Sequence, residues 1–259
     1  MSISLSQSIY HMLTNQNNLK CAVKILDLRK EIFNLSTQYS ALGLKYLEES
    51  MLNIDQKLRL LFKSLMQYDF AERISCGSTL LVGEGNLSFT YALVQKMPFV
   101  RDIISSTYEK YSELSDLGKY NARLLAKVGV HVMHDVDATR LDKIFMTSSF
   151  DTIIFQFPHT GSRETVEGHN ANYILACDFI KSSLHLLKKN GIIIITIVDS
   201  DYYNNIFKFD EVAKLYKLKQ PIKYSFSLAN YPGYEHTMTN QNRSALDGYD
   251  DFATFEFRR

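Results

Sequence analysis

The chain holds only three cysteines, four prolines and eleven glycines in 259 residues, and its formal net charge is +1. Cys21, Cys76 and Cys177 stand far apart and make no C-x-x-C pair, which excludes a disulfide framework and a cysteine-built zinc site and points to a reducing compartment. So little proline and glycine excludes collagen-like and linker-dominated architectures, while 46% hydrophobic and 22% charged residues exclude a disordered chain. Residues 1–18 are mostly Ser, Asn and Gln with scattered Ile and Leu, and lack the basic start and continuous apolar core of a secretory signal. The most apolar run, Ile192 to Val198, has the length of a strand and is too short to cross a bilayer as a helix. These absences leave a compact soluble protein, expected in the cytoplasm and without a membrane partner.

A large charge excess is missing too. Before Cys76 there are 9 basic and 7 acidic residues, and from Cys76 onward 20 and 21. Bulk electrostatic binding of nucleic acid usually needs more positive charge, so an RNA contact would have to come from a local patch.

What is present divides in two. Residues 1–75 carry helical periodicity: Leu19, Val23, Leu26, Lys30 and Phe33, then Leu35, Tyr39, Leu42 and Tyr46, then Ile54, Leu58, Leu61, Leu65 and Tyr68. Asn53 and Gln56 have capping-box spacing ahead of the last stripe. The pattern predicts a helical extension over 1–75. A periodic apolar face identifies burial without identifying its partner, so packing on the following domain, a lid over a site and a homo-oligomer contact all stay open.

From residue 76 to 259 strands alternate with helices. Strands are expected at 79–82, 101–106, 130–133, 150–155 and 191–198, with helices at 87–94, 111–127 and 171–188. Apolar strands in such alternation predict an α/β fold with a doubly wound, mostly parallel sheet. Lys223 to Leu228 and Phe252 to Phe257 read as an antiparallel C-terminal edge around the polar stretch 230–250.

The strongest local motif is the run from Leu80 to Phe89. Gly83 and Gly85 permit a tight turn and close approach of a ligand, while the helix that follows offers unpaired N–H groups. A strand turning into a helix also uses glycine for purely structural reasons. Asn86 stands where a dinucleotide fingerprint favours a small residue, which weakens an NAD reading. Glu109, 26 residues beyond Gly83 and just past the second strand, suits two ribose hydroxyls, or a first-turn carboxylate favoured by a helix dipole. After the third strand, Asp137 suits an adenine amino group beside the small Ala138, or is a solvated turn carboxylate. Together these positions suggest S-adenosylmethionine. After the fourth strand, Pro158 ends strand pairing and Gly161 lets the chain turn away, so Gln156, Phe157 and His159 face the crevice where open sheets bind ligands. The bland reading there is a loop stabiliser with an exposed histidine.

With the segment Tyr231-Pro232-Gly233-Tyr234-Glu235-His236 added, the chain resembles the Rossmann-like methyltransferases typified by the eukaryotic large-subunit ribosomal-RNA uracil-N3 methyltransferase. The matching pieces are Leu81 to Phe89, Ser106 to Tyr108, Val136 to Thr139, Phe150 to Gly161, and Tyr231 to His236, in that order across roughly residues 78 to 259. The first 75 residues have no recognised counterpart.

The resemblance implies S-adenosylmethionine-dependent methyl transfer to nitrogen, with uracil in ribosomal RNA as the precedent. It implies that Gly83, Glu84, Gly85 and Asn86 hold the methionine part of the cofactor, that Glu109 is the ribose carboxylate and that Asp137 is the adenine-side acid. Gln156, Phe157, Pro158 and His159 become the catalytic pocket. The implied partner is structured RNA or a ribosomal precursor, with a nucleolar place if the protein is a eukaryotic ribosomal-RNA enzyme. One departure is Gln156, where the family usually carries asparagine: the amide chemistry is kept and the reach grows by one methylene, which would displace a bound base or suit another substrate shape.

Tyr231, Tyr234 and His236 suit stacking on a base or closing the pocket, with a structural turn as the alternative. Lys223 and Arg243 are candidate phosphate contacts, and Arg258 and Arg259 read as a solvated tail. A methyl sulfonium is already activated, so the protein has to align acceptor, methyl carbon and sulfur and provide a nucleophilic lone pair. Uracil N3 bears a proton; His159 is a candidate base, or a group that orients a carbonyl while solvent takes the proton. A methyltransferase for a small metabolite or other non-RNA acceptor, and a non-catalytic RNA-binding or assembly protein, stay open beside the leading reading.

Overall fold

The computed structural model describes residues 3–75, 77–97, 102–162, 165–166, 168–236, 246 and 248–259. Backbone packing divides the chain into two units, Met1–Gln67 and Tyr68–Arg259.

The first unit is a pair of packed helices, α1 (Ile3–Ala41) and α2 (Lys45–Leu65). The stripes ending at Phe33 and resuming at Leu35 therefore belong to one helix, because no glycine or proline separates them and Ser36 and Thr37 return their hydroxyls to the Phe33 carbonyl at 2.8 and 2.9 Å. The break comes at Gly43, whose φ of +70° suits glycine beyond a helix C-terminus. Asn53 and Gln56 lie inside α2 and cap nothing. Across the pair, Arg29 donates to Asp55 at 2.7 and 3.3 Å.

The second unit opens with α3 (Phe70–Ile74), capped by Asp69, which accepts from the Glu72 N–H at 3.0 Å. Then follow β1 (Thr79–Val82), α4 (Ser88–Val94), β2 (Ile103–Ser106), α5 (Asp116–Lys127), β3 (His131–Met133) and β4 (Phe150–Gln156). A small pair, β5 (Thr165–Val166) and β6 (His169–Asn170), precedes α6 (Ala171–Leu184). The chain ends with β7 (Leu187–Val198), α7 (Asp201–Phe207), α8 (Phe209–Leu215), β8 (Ile222–Phe226) and β9 (Phe252–Phe257). Seven strands form one sheet in the order β3-β2-β1-β4-β7-β9-β8. The first five are parallel, and β9 runs antiparallel to both β7 and β8. This is the expected α/β architecture with an antiparallel C-terminal edge, preceded by helices.

Both faces of the sheet are covered, which is why its central strands read as unbroken apolar runs. Leu80, Val82, Ile153, Phe155, Ile193 and Ile195 join one core, and Leu81, Ile154, Ile192, Ile194 and Phe89 the other. Each such side chain taken fully out of water contributes roughly 1.5–3 kcal/mol.

Several boundaries differ from expectation. The helix read over 111–127 is a single 3-10 turn at Tyr111–Glu113 followed by α5, because Ser115 accepts from the Gly118 N–H and starts a new helix. Helix α6 ends at Leu184 because Leu187 already pairs with Phe150. Helices α7 and α8 were not foreseen, although Ser200 caps the first by accepting from the Tyr203 N–H. Cys21 and Cys177 are free thiols, and Cys76, Arg101 and Arg243 lie outside the described residues. Among the described residues no helix is long and apolar enough to cross a membrane.

Candidate functional site

Strand order reverses between β1 and β4: the chain winds one way through β1, β2 and β3, then returns to place β4 on the other side of β1. A crevice at such a switch point, beyond the carboxyl ends of the strands, is where open sheets take ligands. A cavity of about 710 Å³ lies there, a size typical of small-molecule sites.

The glycine loop forms its floor. Gly83 has φ of +66°, and a Cβ there would run into the Phe155 ring, so the chain needs glycine for both its conformation and its close packing. The Glu84 side chain, 7% exposed, accepts from the Thr90 N–H at 2.9 Å and the Thr90 hydroxyl at 2.8 Å, both at Oε2. Burial pushes its carboxyl up to about 7 against the lowering effect of those two bonds. The Asn86 amide is spent on structure: Oδ1 accepts from the Ser88 N–H at 3.0 Å and Nδ2 donates to the Glu235 carbonyl at 2.8 Å. Ser88 joins in, donating to the Glu235 carbonyl at 3.0 Å and facing the Glu235 N–H at 2.9 Å. These contacts fasten the 231–236 segment onto the glycine loop.

At the end of β2, the Thr107 hydroxyl donates to the Glu109 carbonyl at 2.8 Å, so its other neighbour, His134 Nδ1 at 2.8 Å, is left as the donor between them. Burial lowers the His134 pKa, in keeping with a neutral ring. The Glu109 carboxylate lines the cavity and has no hydrogen bond or ion pair among the described residues. Asp137 also lines it but is half committed: Oδ1 accepts from the Thr139 N–H at 2.8 Å and hydroxyl at 2.7 Å, capping a 3-10 turn, while Oδ2 stands 3.7 Å from Arg140 Nε.

From β4 the cavity receives Gln156, Phe157 and His159. Gln156 is 6% exposed, and neither atom of its amide has a hydrogen-bond partner among the described residues. His159 Nδ1 accepts the Gly161 N–H at 2.8 Å, which puts the proton of a neutral ring on Nε2. Pro158 is buried outside the cavity lining. The 231–236 segment adds Tyr234, Glu235 and His236. Tyr234 lies 6.5 Å from the Phe157 ring at 24°, and His236 meets Phe157 edge-on at 5.4 Å. Burial, with Glu84 as a second cause, holds the Tyr234 phenol well above its ordinary range.

Tyr231 needs correction. It is 1% exposed, stacks on Phe226 at 5.4 Å and accepts the Phe70 N–H at 3.3 Å, so it belongs to the core and does not line the cavity. Lys223 is paired with Asp199 at 2.6 Å, and Arg258 reaches the buried Glu256 at 2.6 Å instead of ending in a solvated tail. Residues missed by the sequence reading include Phe89, Tyr108, Ser115 and Leu175, which line the cavity. Of these Phe89, inside the glycine-loop motif, and Tyr108, at the end of the second matching piece, carried a usable signal.

Five acidic residues, Glu84, Glu109, Glu113, Asp137 and Glu235, belong to the cavity lining, and no lysine or arginine does so among the described residues. Such a lining attracts a cation and repels a pyrophosphate.

The sheet order, the glycine loop and a cavity at the strand ends define a Rossmann-fold methyltransferase of the S-adenosylmethionine-dependent superfamily. Within that superfamily, residues 80–238 match the family described as "BMT5-like: rRNA (uridine-N3-)-methyltransferase BTM5-like", and the chain belongs to it. An uncharacterized protein of Arabidopsis thaliana is 31% identical over 175 residues, 60% of this chain and 78% of that protein. Heavy metal-associated isoprenylated plant protein 41 of Arabidopsis thaliana is 28% identical over 193 residues, covering 69% of this chain; the chain spans only 36% of that relative. Among solved structures, spermidine synthase from Thermotoga maritima is similar at 15% identity and a TM-score of 0.46, covering 76% of this chain and 58% of that one.

Proposed function

We propose that the protein is an S-adenosylmethionine-dependent N-methyltransferase that acts on uracil N3 in ribosomal or other structured RNA. Family membership supports the chemistry, and the observation that carries the acceptor reading is the Gln156 amide, buried and without a partner among the described residues in the wall of an acid-lined cavity. A polar group buried without a partner costs stability, so its retention beside a cavity fits a group waiting for a ligand.

The lining fits the cofactor: its sulfonium and ammonium are cations, and carboxylates face them. When bound, the cofactor supplies an activated methyl group. The backbone of Gly83 to Asn86 holds its methionine end, Glu109 accepts from the ribose hydroxyls, and the remaining Asp137 oxygen accepts from the adenine amino group. On the acceptor side Phe157, Tyr234 and His236 offer ring faces and edges to a flat base. Gln156 Nε2 and His159 Nε2 are donors suited to the two carbonyl oxygens that flank N3, where negative charge gathers as that nitrogen becomes nucleophilic. Phosphates have no counter-charge within this lining among the described residues, so an RNA would send in only an extruded base.

The same lining, with 20 basic against 21 acidic residues from Cys76 onward, favours a small uncharged acceptor as the second reading. Purified protein offered labelled donor with ribosomal RNA and with small-molecule pools separates the two, once the labelled nucleoside or metabolite is identified by mass spectrometry. N3-methyluridine in RNA is the expected product. Label confined to small molecules selects the second reading, and no label in either pool refutes methyl transfer.

A further inference from the structure

Transfer to uracil N3 has to dispose of the N3 proton. His159 is ill suited to take it, since Nδ1 already accepts the Gly161 N–H and a neutral ring then carries its own proton on Nε2. Glu84 is placed differently. Strands β1 and β4 are parallel neighbours whose pairing ends at Val82 and Phe155, and Tyr234, whose ring lies 6.5 Å from the Phe157 ring, has its phenol raised in part by the Glu84 charge. Glu84 and Phe157 both belong to the lining of the same cavity.

The hydrogen bonds of Glu84 are one-sided. Oε2 takes both Thr90 bonds, and Oε1 has no hydrogen-bond partner among the described residues. Because the single Thr90 hydroxyl proton goes to Glu84, Ser105 Oγ, 2.8 Å behind it on β2, is the donor to Thr90, and the chain of donors points toward the carboxylate. A proton arriving at Glu84 therefore lands on Oε1.

We propose that Glu84 is the base of the reaction. Resting on the methyltransferase reading above, Oε1 takes the N3 proton while the nitrogen–methyl bond forms. The methyl–sulfur bond breaks with its electron pair left on sulfur, giving a neutral thioether, and the protonated carboxyl later releases its proton to solvent. The groups facing Glu84 suit this work: Thr90 from α4, Ser105 behind it from β2, and the Tyr234 phenol from the 231–236 segment. Among the described residues no lysine or arginine pairs with it to pin it in the ionised form. Its carboxyl, raised to about 7 by burial, lies where a general base serves best at neutral pH.

The test is Glu84→Gln, whose amide oxygen still accepts from Thr90. Three readings are taken on the full chain: single-turnover methyl transfer to an RNA that the wild-type protein methylates, across the neutral pH range; calorimetric binding of S-adenosylhomocysteine; and carbon-13 NMR titration of the Glu84 carboxyl. In the wild type the rate should rise with pH and level off above about 7, with the NMR signal titrating in the same range. E84Q should lose ~10²- to 10⁴-fold in rate and the levelling-off, with thioether affinity unchanged. Wild-type rates in E84Q overturn the proposal. So does a loss of thioether affinity in step with the rate, which would make Glu84 a cofactor contact. If E84Q does not fold, a Glu84 signal titrating in the ordinary carboxylate range in the wild type overturns it equally. An inactive wild-type protein refutes the function itself, whereas an active one with active E84Q refutes only the role of Glu84.

Discussion

Replacing Gln156 with methionine tests whether the cavity wall is built for a ligand at the cost of the free protein. Methionine keeps the length and flexibility of glutamine and removes both polar atoms, neither of which has a partner among the described residues. A buried polar group without a hydrogen bond costs about 1–3 kcal/mol, and replacing it with an apolar group of similar shape recovers much of that. Taking about 2 kcal/mol for the amide, and about 2–4 °C of melting temperature per kcal/mol for a unit of this size, Gln156→Met should melt roughly 4–8 °C higher than the wild type. On the proposed reading the same change removes a donor to a carbonyl oxygen that gains negative charge in the transition state, and methyl transfer should fall by about 10²- to 10³-fold. Thermal melts without ligand and single-turnover transfer to RNA give the two numbers. A variant that melts below the wild type would mean that the amide is satisfied in solution, and one that transfers methyl at the wild-type rate would mean that the amide never meets the acceptor.

Three further outcomes follow from the same structure. The Glu84 carboxyl moves from 4.5 to about 7 on folding, so the folded state holds a proton that the unfolded state has lost between those values. Stability contributed by this group is fully present below about pH 4.5 and declines by about 3 kcal/mol as pH rises past 7; urea denaturation across pH should show that slope in the wild type and not in E84Q. Glu109→Ala should weaken S-adenosylhomocysteine binding by about 1–3 kcal/mol in calorimetry, and unchanged affinity would reject the ribose contact. Glu256, fully buried, receives the Tyr68 hydroxyl at 2.9 Å, Arg73 at 3.1 Å and Arg258 at 2.6 Å. Glu256→Ala strands those partners and should cost about 3–5 kcal/mol in denaturant unfolding; near-wild-type stability would show that the cluster contributes little.

The acid lining gives the cavity a direction of chemistry that neither fold nor motif supplies. Rossmann-like sheets bind many nucleotides, and a glycine loop alone favours phosphates as readily as a methionine tail. Here Glu109 and Asp137, at the ends of successive strands, line the cavity, and on the proposed reading a cationic cofactor is the ligand they accommodate.

The succession of apolar strands and helices was legible in the sequence because a covered parallel sheet demands long apolar runs, and Gly83 declared the turn because few other residues take its backbone angle. Element ends were less legible. Helix α6 stops where Leu187 finds Phe150, a partner 37 residues away, and no local signal records that pairing. The site shows the same divide. Tyr231 and Tyr234 flank one proline-glycine turn and look equivalent in sequence, yet the first is taken by Phe226 and Phe70 into the core and the second enters the cavity beside Phe157. The sequence placed Gln156, His159 and Glu84 near the strand ends. Only the tertiary structure decided that the Gln156 amide is buried without a partner among the described residues and that the Glu84 carboxyl is raised, since burial depends on residues far away in the chain.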